Sequence, residues 1–268
     1  MGIYNSAPVK PRPEVFALMR NAHEVIRGAS RDLAAALVLS DTVDKRTAVA
    51  QFRELWAPFI KFMQLHMKME EGSGEAEGVF KMLDRLAKGS ANNAGLHAEH
   101  SPIAGLERSV ERALGPFGTH ADLADRFRIF SEVNEAHLTV EQEAMMPAIK
   151  KLSEEGTDMR ALMRQSAFAA LSADETDFFV DYAVRTLEKH AEGHPRARVF
   201  VHALQAIAQD EAEWQRTHRI VQAALSAEAY AQVSAELVDM GAWGEGAYPP
   251  GQGPLMNAAG RGFCFSQI

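Results

Sequence analysis

Four stretches of this chain carry apolar residues at three-and-four spacing, and a histidine stands inside each stripe. The first runs Phe16, Met19, His23, Ile26, Ser30, Leu33 and Leu37, and the second Leu55, Phe59, Phe62 and His66. The third is Leu96, His100, Ile103, Leu106 and Val110, and the fourth Leu123, Phe127, Phe130, Asn134 and His137. This is the period of an α-helix with one buried face. Two stripes continue into a glutamate one turn on, pairing His66 with Glu70 and His137 with Glu141. Residues four apart on a helix stand one above the other, so each pair offers an imidazole nitrogen and a carboxylate oxygen in one direction. With His23 and His100 entering from the other two helices, four imidazoles and two carboxylates are available. That set can hold two borderline cations and bridge them.

Chance alone is a weak rival. Ten histidines in this composition produce on the order of one His-x-x-x-Glu at random. A single histidine on an apolar face is ordinarily a core residue bonded to a backbone carbonyl. Four such histidines with two carboxylates differ, because burying them together without a partner costs several kcal/mol apiece. The ferritin-like alternative needs a glutamate three residues before a histidine, and none of the ten histidines has one.

Composition excludes other chemistries. With 268 residues, 47% of them hydrophobic, the chain can bury a large core. The net charge of −8, with basic residues scattered among acids, argues against nucleic acid. The one cysteine, Cys264, rules out thiolate zinc sites and iron–sulfur clusters within one chain, so a metal must use nitrogen and oxygen. No leader-like start and no run of 18 apolar residues is found, so a cytoplasmic protein with no membrane partner is expected.

Pro8, Pro11 and Pro13 predict an extended start, with helix one opening near Pro13. Asp41 or Thr42 is a cap for the second helix, which Pro58 bends. The glycines of GSGEAEG, just past Glu70, predict a break or an inserted turn. The third helix has two readings: Ser101 caps it with Pro102 in its first turn, or it starts near Asn93 and Pro102 kinks it. His100 faces inward in both. Thr119 caps the fourth helix, and three further helical segments are expected over 159–193, 196–225 and 227–240. No strand pattern competes, so the chain reads as all-α: an antiparallel four-helix up-down bundle over 13–152, a helical extension over 157–240 packed against it, and an irregular Gly/Pro-rich tail over 241–268.

Four segments carry a family resemblance: NAHEVIRGASRDL, FIKFMQLHMKMEEG, LHAEHSPIAGLERSV and NEAHLTVEQEAMMPAI. Over residues 13–152 the chain resembles the hemerythrin-like, or HHE cation-binding, family. The resemblance implies a di-iron centre ligated by His23, His66, Glu70, His100, His137 and Glu141, with the two glutamates bridging. The muscle-type carriers of that family use a fifth histidine and a bridging aspartate. Here the third helix offers His97, three residues before His100, as the candidate fifth ligand. Glu71 points about 100° from Glu70, toward solvent or the outside of the centre.

Six protein ligands on two metals leave a coordination position open for dioxygen, peroxide or nitric oxide. Trp56, Phe59, Phe62, Phe127 and Phe130 would keep water out. The leading expectation is therefore a non-haem di-iron protein that binds or senses dioxygen or a related oxidant. The alternative is a di-iron oxidase or oxygenase acting on a small organic molecule, since the helices after 155 would roof a substrate cavity or form a homodimer face. A regulatory role through a partner ranks third. Elsewhere, His190 and His194 read as a helix C-terminus, His120 as a first turn, and His202, Glu211 and His218 as a weak second-site candidate. Met63, Met67, Met69, Met145 and Met146 read as core filling.

Overall fold

The computed structural model describes residues 17–38, 44–89, 93–191 and 196–237. Those residues are predominantly helical, as the stripes require. The proline-rich start, Asp41, Thr42, His194, Cys264 and the tail expected over 241–268 lie outside them. The four stripes fall on α1 (Ala17–Val38), α2 (Lys45–Glu71), α4 (Asn93–Ala113) and α5 (His120–Glu154). α1 packs along α2, α4 packs along α5, and α1 also lies against α5.

The buried face of α2 is rotated from the expected stripe. Leu55 is exposed, and Phe52 and Trp56 hold that end of the core. One residue is 100° of helix, so 52, 56, 59, 63, 66 and 70 follow the core face more closely than a stripe through 55. Phe52, Trp56 and Phe59 interleave with Phe127 and Phe130 of α5, at ring-centroid distances from 5.1 Å (Phe52 to Phe127) to 6.2 Å (Trp56 to Phe127). Such pairs add roughly 0.5–1.5 kcal/mol each beyond their burial. Phe62 turns elsewhere and stacks on Phe179 at 4.6 Å.

α4 starts at Asn93 and continues without a break through Pro102, so of the two readings the earlier start holds. Thr119 caps α5 by accepting the Asp122 N–H at 3.1 Å, and the helix continues past Pro147 to Glu154. After Glu71 the chain forms a short hairpin in which β1 (Gly72–Ser73) pairs antiparallel with β2 (Ala76–Glu77). It then enters α3 (Val79–Leu86), a helix absent from the sequence reading, which packs on α2, α4 and α5. Gly72 sits at φ +89°, where a side chain is strained. A Cβ on Gly78 would strike the backbone carbonyl of Glu70, so the hairpin returns hard against the end of α2.

The C-terminal segments are more broken than expected. The stretch 159–193 divides into α6 (Met159–Gln165), a 3-10 turn (Phe168–Ala170) and α7 (Ala173–Lys189). The stretch 196–225 divides into α8 (Arg196–Ile207) and α9 (Glu211–Ala224), and α10 is Ala227–Ser234. Side-chain caps set four of these starts, with Asp158 opening α6 and Ser226 opening α10. Ser172 and Glu175 close a full capping box on α7, and Asp210 accepts the Glu213 N–H at 2.9 Å to start α9. α7 and α8 pack on α1, and α9 on α7. Among the described residues no helix is long and apolar enough to cross a membrane.

Candidate metal centre

All six expected residues are buried and meet in one place. His23 comes from α1, His66 and Glu70 from α2, His100 from α4, and His137 and Glu141 from α5, none more than 5% exposed. Glu70 turns Oε1 to His66 Nε2 at 2.8 Å and Oε2 to His100 Nε2 at 3.5 Å. Glu141 turns Oε1 to His23 Nε2 at 3.4 Å and Oε2 to His137 Nε2 at 3.6 Å. The rings form two edge-on pairs, His23 with His66 at 5.1 Å and His100 with His137 at 4.9 Å. Each carboxylate therefore faces one histidine pair with one oxygen and the other pair with the second.

Donor atoms of His23, His66, Glu70 and Glu141 lie within 4.8 Å of one another, a spread that one cation can gather. Their polar atoms are otherwise unsatisfied. Both nitrogens of His23 and His66, and both oxygens of Glu70 and Glu141, are buried without an aligned hydrogen bond, close as the 2.8 Å contact of His66 with Glu70 is. Among the described residues, the groups within ion-pair distance of the two carboxylates are the four histidines. Orphaned buried carboxylates cost several kcal/mol each, so this core is stable only with protons or cations added.

Electrostatics say where protons go. Burial lowers the pKa of His23, His66 and His100, favouring neutral rings with a lone pair to give. Burial, then the neighbouring Glu141, pushes Glu70 well above the usual carboxylate range. Burial also opposes ionisation of Glu141, yet His23 and then His66 hold it below that range. The two carboxylates are thus pushed in opposite directions, Glu70 up and Glu141 down.

On the other side, two outer carboxylates orient the rings. His100 Nδ1 donates to Glu71 Oε1 at 2.5 Å, and His137 Nδ1 donates to Glu99 Oε2 at 2.8 Å. Both Nε2 lone pairs then point inward, 3.2 Å apart. Two acceptors that close require a cation or an additional proton between them. The donor set, nitrogen and carboxylate oxygen with outer carboxylates behind the imidazoles, fits a borderline metal ion. Glu71 is the outer residue its helical position suggests. Glu99 carries no spacing signal, because its partner is 38 residues away and only the packing of α4 on α5 joins them. Phe80 of the unforeseen α3 covers His100, with ring centroids 5.6 Å apart.

The other histidines stay outside. His97, the candidate fifth ligand, has a side chain 64% exposed and bonds Glu71 at 2.9 Å. His120 Nε2 reaches the Leu37 carbonyl at 3.1 Å, and His190 is the C-cap of α7, as its sequence position suggests, and also meets Asp32 at 3.1 Å. His202 faces Glu236, while His218 stacks on Trp214 and bonds the Tyr230 hydroxyl at 3.0 Å; with Glu211 they form no group among the described residues that could hold a metal. Met63, Met69 and Met145 are buried in the hydrophobic core. Comparison with known protein families, with curated proteins and with solved structures finds no match to this chain.

Proposed function

We propose that the chain is a non-haem di-iron protein of hemerythrin-like type, in which α1, α2, α4 and α5 form an antiparallel four-helix bundle that binds or senses dioxygen or a related small oxidant. The observation that carries this reading is the two-way carboxylate: Glu70 and Glu141 each address both histidine pairs. His23 and His66 would hold one iron, His100 and His137 the other, and the glutamates would bridge. Two irons held there would supply an open coordination position for dioxygen, peroxide or nitric oxide. The protein's part is to present neutral rings, to fix two of them through Glu71 and Glu99, and to keep water away.

Two turns before His66 and His137 lie Phe59 and Phe130, both fully buried, so an aromatic floor closes one end of the site. A nitrogen-rich, dry site favours reversible binding over bond cleavage. The test is to load the full chain with ferrous iron under nitrogen and record its optical spectrum before and after air. An oxygen-dependent band that disappears on deoxygenation is expected. Failure to bind iron, or irreversible oxidation with release of peroxide or product, would overturn the reading, the latter in favour of an oxidase.

A further inference from the structure

Glu71, His97 and His100 form a second group of metal-ligating side chains, with donor atoms within 4.8 Å of one another. Glu71 Oε1 meets His97 Nδ1 at 2.9 Å and His100 Nδ1 at 2.5 Å. The three are graded from outside to inside: the side chains of His97, Glu71 and His100 are 64%, 34% and 6% exposed. Glu71 adjoins Glu70 in sequence, and His100 turns Nε2 to Glu70 while Nδ1 faces Glu71. One ring thus spans the outer cluster and the buried centre. Among the described residues Glu71 has histidine partners and no lysine or arginine to occupy it.

We propose that Glu71, His97 and the Nδ1 edge of His100 form a capture site for a borderline divalent cation of the ferrous or zinc kind, from which the cation passes to the buried centre. The proposal rests on the di-metal reading of that centre. A neutral imidazole has one lone pair. Coordination at Nδ1 of His100 places its proton on Nε2, and coordination at Nε2 returns the proton to Nδ1, whose N–H then donates a hydrogen bond to Glu71. Capture and occupation of the inner position by His100 therefore exclude each other. The outer site has three ligands before the centre loads and two afterwards, so it releases its cation inward and does not persist as a third metal site.

The test compares Co2+ uptake by metal-free wild-type protein and His97→Ala, followed by visible absorption after rapid mixing. His97 is the right position because it is exposed and its loss leaves the Glu71–His100 bond in place. Both proteins are expected to end with two cobalts per chain and the same spectrum. The wild-type rate should level off as Co2+ rises, whereas the variant should be about tenfold slower at low Co2+ and rise linearly. Superimposable rate curves would overturn the capture site. Absence of cobalt from both proteins would overturn the di-metal reading itself, a different result from two cobalts entering both at one rate.

Discussion

Glu70 and Glu141 are fully buried, have no lysine or arginine within ion-pair distance among the described residues, and yet are shifted in opposite directions, Glu70 up and Glu141 down. That difference has consequences in opposite directions with and without metal. Glu141→Gln keeps the shape and removes the ionised group, so it should weaken cation binding by at least about 3 kcal/mol, while the metal-free variant should be as stable as wild type or more so. Metal titration and urea unfolding of the same samples check both; a variant that unfolds without metal would mean that the carboxylate is structural. His23, His66 and His100 have lowered pKa values in the folded chain, so their contribution is present above about 6.5 and is lost as pH falls below it. Glu70 is raised, so its contribution grows as pH falls toward the unfolded carboxylate value. His218 is lowered as well and Glu107 raised, so four groups oppose two, each worth at most about 1.4 kcal/mol per pH unit. The metal-free protein should therefore lose stability from pH 7 to pH 5, and a midpoint that rises over that range would contradict the assignment. Cation affinity should fall over the same range, because the proton on Glu70 must leave before the metal is bound.

Among the elements, the hairpin and α3 set the pose of Glu70 and Glu71. Gly78→Ala drives a methyl group into the Glu70 carbonyl, and about 1–3 kcal/mol of stability should be lost together with cation affinity. Gly74→Ala is the control. Gly74 has φ +59° but open space around it, so about 1 kcal/mol should be lost and binding kept. Equal binding losses in the two variants, measured by metal titration, would show that the clamp does not position Glu70. This element also marks where sequence reading stops. The ligand pairs were legible because their partners lie one helical turn away, and periodicity reports that directly. GSGEAEG announced a break or an inserted turn but not the strand pairing around it, and α3 is one apolar-faced stretch of eight residues whose burial depends on α4 and α5. Glu99 and Phe80 act across helices, and no local pattern encodes that. The Ser172 to Glu175 capping box was legible in principle, as a serine with glutamate three residues on, and it splits a segment that apolar spacing alone joins.

For the molecule as a whole, α1 is the shared wall. One face carries His23 to the centre, and the opposite side meets α7, where Gly28 lies against the ring of His190 and Asp32 pairs with Lys189 at 2.7 Å. A Cβ at Gly28 would come within 2.8 Å of His190 Cδ2. Gly28→Val should therefore cost about 1–3 kcal/mol through displaced packing of α7 on α1, with cation stoichiometry unchanged. Urea unfolding and metal analysis separate the two effects, and loss of metal from a folded Gly28→Val would mean that the C-terminal helices hold the centre in place. The proposed centre requires two cations sharing six side chains. The most direct test is the metal-to-chain ratio of the ferrous-loaded full chain after exhaustive removal of loose iron under nitrogen. Two irons per chain are predicted for wild type; a ratio of one or none would contradict the shared, carboxylate-bridged centre.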